Sequence, residues 1–122
     1  RAEDARQVQT LVEDCRKKGK ILGGICDAAG FLSTVGALND VFHTGNDLRD
    51  LKQWAGCSYT GEAKFIAKQA VCDKNVITAN GTAPMEFAKE ILLALHAAEE
   101  RQITDWYHFH KLGLYTAPMP NM

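Results

Sequence analysis

The segment from residue 20 to residue 31, KILGGICDAAGF, constrains the fold of this chain more than any other. Its first part, Lys20 to Cys26, is an apolar run without polar alternation, which predicts a strand buried on both faces, as in a parallel sheet. Small residues then allow a tight turn, and a helix begins at Asp27 or Ala28. A strand, a sharp turn and a helix in this order are typical of a nucleophile elbow. The segment therefore predicts an α/β fold in which Cys26 is exposed at the turn.

The predicted turn places Cys26 at the start of the following helix. The first amide groups of a helix have no intrahelical acceptor, so they favour the thiolate of a nearby cysteine and can also form an oxyanion hole. We expect the backbone of Gly24, Asp27 and Ala28 to supply this part of the site. The charge of Asp27 suits a helix start but opposes a thiolate. Free cysteines are often buried and inert, and the local pattern alone leaves that interpretation equally open.

The overall composition excludes several classes of protein. A length of 122 residues suits one domain, and a formal net charge of −1 creates no field that attracts nucleic acid or an anionic membrane. The longest glycine-free apolar run, Ile91 to Leu95, is far shorter than the roughly 20 residues that span a bilayer. We find no signal-peptide pattern. The four cysteines lack the spacing of a zinc site or a redox dithiol. Their arrangement favours a cytoplasmic protein with reduced thiols. The four are Cys15, Cys26, Cys57 and Cys72.

Hydrophobic periodicity and turn residues predict an alternation of helices and strands. The predicted helices cover residues 2–18, 28–37, 47–54, 83–100 and 102–111, and the predicted strands cover residues 20–26, 65–72 and 76–79. A turn over residues 73–75 joins the last two strands, and residues 39–46 are turn-like. Residues 113–122, which contain two prolines, form a predicted exposed tail. This order is typical of an α/β domain with a partly parallel sheet.

The predicted sheet lacks strands to flank its first member. A strand buried on both faces needs neighbours, and the chain offers few. The chain also begins with Arg1 rather than methionine and enters a helix almost at once. We therefore expect an N-terminal segment of the same protein to be missing from this sequence.

Three segments resemble the ThiJ/PfpI superfamily, which has the class I glutamine amidotransferase-like fold. They are residues 23–30 (GGICDAAG), 38–47 (LNDVFHTGND) and 73–88 (DKNVITANGTAPMEFA), and the similarity extends from about residue 1 to residue 97 in order. The resemblance implies a flavodoxin-like three-layer sandwich, in which residues 1–112 are the C-terminal portion of a single domain. It also implies that Cys26 is the reactive cysteine of the family.

Two departures from the family pattern limit what the resemblance implies. The PfpI-type peptidases have a histidine directly after the cysteine, whereas this chain has Asp27. Peptidase activity is therefore not expected. Family members also place a carboxylic acid beside the cysteine from near the start of the domain, and the similarity begins after that point. The acid is expected in the missing N-terminal portion.

Two loops that the resemblance places near the pocket supply further candidates. His43 could deprotonate the thiol or carry a substrate proton near pH 7, but it could equally be a loop histidine without a role. Thr44 and Asn46 are secondary candidates for orienting a ligand. Gly81 and Thr82 precede a helix, whose N-terminus is a natural anion site, although turn formation and capping explain them at least as well.

Aromatic and histidine side chains crowd the last predicted helix, from Trp106 to His110. His108 and His110 are two positions apart, so they face different sides of a helix and cannot hold one metal ion. We interpret the aromatic side chains as a packing or dimer surface.

The sequence therefore supports two functional hypotheses, and a scaffold whose activity has lapsed is a third possibility. In the first, the protein is a ThiJ/PfpI-like enzyme of hydrolase, amidase, glyoxalase or deglycase type, in which Cys26 attacks a small electrophilic substrate. In the second, the same cysteine is a reversible redox sensor in a stress-response protein without enzyme activity. Neither requires a metal or an organic cofactor, and a homodimer is expected from the resemblance.

Overall fold

The structure is a computed structural model that describes residues 2–120. Its helices are α1 (Ala2–Lys17), α2 (Asp27–Thr34), α3 (Leu48–Ala55), α4 (Pro84–Ala94) and α5 (Glu100–Leu112), and its strands are β1 (Leu22–Ile25), β2 (Ala70–Asp73) and β3 (Val76–Ala79). Two short 3₁₀ turns, Gly56–Ser58 and Glu62–Lys64, lie between α3 and β2.

The strands form one mixed sheet in the order β1-β3-β2. β1 runs parallel to β3, with Leu22 opposite Val76, and β2 is antiparallel to β3. The hairpin between β2 and β3 turns at Lys74 and Asn75, whose φ angles are 49° and 64°. Positive φ at both central residues is the geometry of a type I′ turn, whose twist matches that of paired strands. The predicted turn and the predicted strand over residues 76–79 are both confirmed.

Helices cover both faces of the sheet. A side chain at Gly24 would contact Leu32 of α2, whereas a side chain at the neighbouring Gly23 would contact Phe87 and Ile91 of α4. Successive residues of a strand point to opposite faces, so α2 and α4 lie on opposite sides of β1. The helix–sheet–helix arrangement confirms the predicted α/β sandwich.

The main hydrophobic core lies on the α2 side of the sheet. It contains fully buried Leu38 and Leu51, together with Leu32 and Val41, and partly buried Phe31 packs against it. A smaller cluster of alanines, Ala70, Ala79 and Ala83, packs against Phe87 of α4. These two clusters fix the strand ends and helix starts that surround Cys26.

The prediction of a strand over residues 65–72 is wrong in its first half. Phe65 forms only an isolated bridge with His43, and β2 begins at Ala70. Ala70 pairs with Ala79, the last residue of β3, and beyond this pair one hydrogen bond, from Asn80 N–H to the Gln69 carbonyl oxygen at 3.3 Å, still joins the two segments. The segment before Ala70 bends, and Lys68 N–H donates to the Ile66 carbonyl oxygen at 2.9 Å.

The predicted helix over residues 83–100 is too long at its C-terminal end, and the next predicted helix, over residues 102–111, begins earlier than expected, at Glu100. α4 ends at Ala94, and His96 takes a left-handed φ of 52°. The N–H groups of His96 and Ala97 then bond back to Leu93 and Leu92, which satisfies the free carbonyls of the helix end. A capping box between Glu99 and Gln102 starts α5.

Other boundaries and burials differ from the prediction. The helix after Cys26 stops at Thr34, before Gly36 with its φ of 76°. β1 is not buried on both faces, since Gly24 is buried but Gly23 is exposed. Among the described residues β1 is an edge strand, which explains the exposure. The C-terminal segment is mostly exposed, but Ala117 is buried, and Asn121 and Met122 lie outside the described residues.

Candidate active site

Cys26 occupies the turn between β1 and α2 in an unusual backbone conformation. Its φ is 60° and its ψ is −125°. A residue with a Cβ atom is strained there, at a cost on the order of 1–3 kcal/mol. The turn is held because Cys26 N–H donates to the Ala79 carbonyl oxygen at 3.0 Å and Ala29 N–H donates to the Cys26 carbonyl oxygen at 3.1 Å. The sharp strand-to-helix turn predicted from the sequence is therefore present, and the Cys26 side chain is partly exposed.

Gly24 contributes to this turn through the absence of a side chain. A Cβ atom there would lie 2.7 Å from Leu32 Cδ1 and 3.2 Å from the backbone of Ala28. The first turn of α2 can therefore fold back onto β1 only with glycine at this position. Gly24 supports the elbow by packing beneath α2, instead of lining a pocket.

The start of α2 supplies free backbone donors directly after Cys26 in the chain. Cys26 is the N-cap, so Asp27 and Ala28 are the first two helical residues. Their N–H groups have no intrahelical acceptor, because the helix supplies none to its first turn. The amides can hydrogen-bond to negative charge on the sulfur or on an oxygen bonded to its target carbon.

Two loops from other parts of the chain meet the sulfur. Asn46 Nδ2 lies 3.5 Å from Cys26 Sγ, and Asn46 Oδ1 accepts a hydrogen bond from Gly81 N–H at 2.9 Å. A Cβ atom on Gly81 would lie 3.0 Å from Cys26 Sγ, so glycine permits this close approach. Two of the predicted candidates, Asn46 and Gly81, are therefore brought to Cys26.

Thr82 braces the loop that carries Gly81. Its N–H donates to Asn80 Oδ1 at 2.8 Å, and its hydroxyl donates to the same oxygen at 2.6 Å. Asn80 Nδ2 in turn donates to Gln69 Oε1 at 2.9 Å. Thr82 therefore fixes the loop by turn chemistry, and no hydrogen bond joins it to the sulfur in the described part of the chain.

His43 lies in the core and is not brought to Cys26. The residue is fully buried, and its Nδ1 lies 2.7 Å from the Val41 carbonyl oxygen. A carbonyl oxygen only accepts, so Nδ1 carries the proton and neutral Nε2 accepts from the Tyr59 hydroxyl at 2.6 Å. Burial lowers the pKa of His43, an effect that the Val41 hydrogen bond partly opposes. Burial and then the charge of Glu62 raise the pKa of Tyr59 to about 12.

This placement does not support the predicted proton transfer by His43, because both ring nitrogens are already hydrogen-bonded within the core. Thr44 is likewise buried, and its N–H donates to Thr78 Oγ1 at 2.8 Å. Both residues instead anchor the loop that carries Asn46.

An open cleft of about 470 Å³ adjoins Asn46. Its lining combines an aromatic side chain with amide groups and charged groups of both signs: Thr44, Gly45, Asn46, Asp47, Phe65, Ala67, Lys68, Gln69 and Asn80. A more apolar groove of about 340 Å³ lies between α4 and α5, away from the elbow. Residues 2–120 contain no cluster of histidine, cysteine or carboxylate side chains that could hold a metal ion.

The sequence matches the DJ-1/PfpI family over residues 1–94. This chain belongs to the DJ-1/PfpI family. The matched region includes the elbow, the loop with Asn46 and the loop with Gly81.

Two curated relatives come from Bacillus subtilis. The chain is 35% identical to the uncharacterized protease YdeA over 117 residues, covering 93% of this chain and 57% of YdeA. It is 37% identical to the uncharacterized protease YoaZ over 110 residues, covering 89% of this chain and 52% of YoaZ. The chain therefore spans about half the length of the curated relatives that it matches.

Solved structures agree with this assignment. A thiJ/pfpI family protein from Bacillus anthracis superposes with a TM-score of 0.82 at 32% identity, covering 87% of this chain and 50% of that protein. The DJ-1 superfamily protein Atu0886 from Agrobacterium tumefaciens superposes with a TM-score of 0.74 at 38% identity, covering 84% and 56%. These likenesses confirm the flavodoxin-like fold, and this chain covers about half the length of each of the two proteins.

The structure adds residues that sequence reasoning missed. Tyr59 holds the His43 ring, and Gln69 and Asn80 brace the Gly81 loop. None of them lies in a motif with a chemical signature. The dipeptide Asn80-Gly81 is typical of a turn, so the sequence indicated the loop. It did not indicate the side-chain hydrogen bonds that hold the loop in place.

Proposed function

We propose that this DJ-1/PfpI chain carries the nucleophile of a cysteine-dependent enzyme, and that Cys26 attacks a small electrophilic carbon such as that of an aldehyde, an amide or a glycated adduct. The conformation of Cys26, with a φ of 60° at the junction of β1 and α2, is the observation that carries the proposal. Strain of this kind persists only where surrounding structure enforces it, and it is concentrated at functional sites.

The proposed first step uses the thiolate of Cys26. A sulfur electron pair forms the C–S bond, and the π electrons of the carbonyl move to its oxygen. The N–H groups of Asp27 and Ala28 stabilise the charge on that oxygen, which then takes up the proton that the thiol released to solvent. With an aldehyde this yields a hemithioacetal; with an amide it yields the tetrahedral intermediate that precedes loss of the amine.

The cleft beside Asn46 suits a small polar substrate. Phe65 offers an apolar surface, while Gln69 and Asn80 offer amide groups for hydrogen bonds. The relatives YdeA and YoaZ are named as proteases. We nevertheless favour a small substrate here, because Asp27 stands where PfpI-type peptidases have a histidine after the cysteine.

Purified protein should be assayed with methylglyoxal, with small amides and with a chromogenic peptide. We expect Cys26→Ser to lower kcat/KM for the accepted substrate by at least about a thousandfold, because the hydroxyl is a far weaker nucleophile than the thiolate. Cys57→Ser, which removes an exposed thiol far along the chain, is the matched control and should retain activity.

Turnover that survives Cys26→Ser would show that this cysteine is not the nucleophile. A redox role is the second candidate, because Cys26 is partly exposed and no described histidine or carboxylate hydrogen-bonds to its sulfur. Peroxide-dependent sulfenic or sulfinic acid formation at Cys26, without turnover of any of the electrophiles, would favour this sensor role.

We also propose that the protein works as a homodimer, as expected from the family resemblance, and that it is cytoplasmic, as expected from the spacing of its cysteines. No helix within residues 2–120 is both long enough and apolar enough to cross a membrane.

A further inference from the structure

The side chain of Asn46 joins the Gly81 backbone to the Cys26 sulfur, and its orientation is determined by chemistry. Gly81 N–H can only donate, so the group that faces it at 2.9 Å must be the amide oxygen, Oδ1. The amide nitrogen then necessarily faces Cys26 Sγ, at 3.5 Å. The contact at the sulfur is therefore a donor N–H group.

We infer that Asn46 stabilises the thiolate of Cys26 through a hydrogen bond from Nδ2 to Sγ. The inference rests on the proposed function only in taking Cys26 as the reactive group. An N–H group binds an ionised acceptor more strongly than a neutral thiol, so the contact favours the ionised form. The bond forms before any substrate arrives and requires no acid or base.

Anchors on both sides hold Asn46 in place. Before it, Thr44 N–H donates to Thr78 Oγ1 of β3 at 2.8 Å. After it, Asp47 caps α3 by accepting from Asp50 N–H at 2.9 Å. Side chains held by such neighbours lose little entropy when they form a hydrogen bond, so the donor is preorganised.

The charged groups near the sulfur make a neutral donor important. Asp27 follows Cys26 on α2, and Asp47 precedes α3 next to Asn46. Negative charge near a sulfur disfavours the thiolate, so these neighbouring carboxylates give it no support. No described lysine, arginine or histidine forms a hydrogen bond with the sulfur to compensate. The donors available are Asn46 Nδ2 and the first amides of α2.

The test is the rate of alkylation of Cys26 by iodoacetamide as a function of pH, resolved by peptide mass spectrometry. Asn46→Asp keeps an acceptor for Gly81 N–H but removes the donor; Asn46→Ala removes both without adding charge. We expect each to lower the rate constant at pH 7 by about tenfold and to move the pH profile towards higher pH. Exposed Cys57 provides an internal reference in the same sample.

Asn39 is the matched control. It also joins two segments through one amide, because Nδ2 donates to the Ser58 carbonyl oxygen at 3.0 Å and Oδ1 accepts from Thr60 N–H at 2.9 Å. Asn39→Asp should leave the Cys26 profile unchanged. If both Asn46 variants react within twofold of the wild type, the inference is wrong. If the variants alkylate slowly but the wild type turns over none of the electrophiles, the inference stands and the proposed enzyme reaction fails.

Discussion

At the scale of single residues, the backbone at Cys26 is the most unusual feature of the molecule. Lys74, Asn75 and His96 also have positive φ, but each lies in a hairpin turn or at a helix end. Cys26 instead joins the edge strand β1 to a helix, and a glycine there would relieve the strain. The chain therefore keeps a strained side chain where an unstrained residue would fold more easily, which argues that the thiol itself is needed.

Alanine usually gives a more stable protein than glycine, but the strain at Cys26 predicts the reverse order at this position. Both substitutions remove the thiol. Cys26→Gly should be more stable than Cys26→Ala by about 1 kcal/mol in free energy of unfolding, because only alanine places a Cβ atom at positive φ. At Cys57, in a 3₁₀ turn without positive φ, alanine should equal or exceed glycine. Urea denaturation of the four variants checks this, and an alanine advantage at both positions would refute it.

At the scale of elements, α5 is attached to α4 by a buried carboxylate. Glu86 is 7% exposed, accepts a hydrogen bond from the Tyr107 hydroxyl and pairs with Lys111 Nζ at 3.0 Å. Burial alone would raise the pKa of Glu86, but the Tyr107 and Lys111 hydrogen bonds outweigh it and hold the pKa below its usual 4.5. The hydrogen bond to Glu86, together with burial, raises the pKa of Tyr107 to about 12.

Glu86→Gln should lower the free energy of unfolding by about 2 kcal/mol at pH 7, the scale of a lost hydrogen-bonded charge. Since the folded state lowers the pKa of Glu86, the stabilisation is present above pH 4.5 and is lost as the pH falls through the folded value. The difference between wild type and variant should therefore shrink in acid, as measured by denaturant unfolding at several pH values.

The matched control is Asp14→Asn, which breaks the exposed pair between Asp14 and Lys18. Exposed pairs contribute little, so this change should cost less than about 0.5 kcal/mol. Equal costs for Glu86→Gln and Asp14→Asn would mean that Glu86 does not tie the two helices together.

At the scale of the whole molecule, His43 connects the loop that carries Asn46 to the hydrophobic core. Its ring packs edge-on against Tyr59 and Phe65, and its backbone pairs with the segment around Phe65. Protonation would place a second N–H against the Tyr59 hydroxyl in a buried setting. The neutral ring is therefore part of the folded state.

Burial lowers the pKa of His43 below 6.5, so the unfolded state binds the proton more readily. Stability should decrease as the pH falls from about 6.5 towards the folded pKa. His43→Gln should flatten this slope in denaturant unfolding between about pH 7.5 and 5.5. Exposed His108→Gln should retain it, and an unchanged slope in His43→Gln would contradict the assignment.

Within residues 2–120, the first strand has a partner on one side only, and the first helix exposes apolar side chains. β1 pairs with β3 on one side only within residues 2–120, and Val8 and Leu11 of α1 are 45% and 60% exposed. Most apolar side chains of α1 are thus exposed, and Val12 is its buried residue. The chain spans about half of its curated relatives.

Local patterns determined the class of the fold, the elbow, the hairpin and the existence of every helix. Glycine spacing, turn residues and apolar periodicity act over a few residues, so they are legible in one sequence. Tertiary structure decided the rest. Strand length depended on where the partner strand ended, which placed the start of β2 at Ala70. Contacts at the sulfur depended on loops 20 residues and more away, which brought Asn46 rather than His43 to Cys26. A histidine and an asparagine separated by two residues look equally available in a sequence, and only the packing of the core shows which is buried.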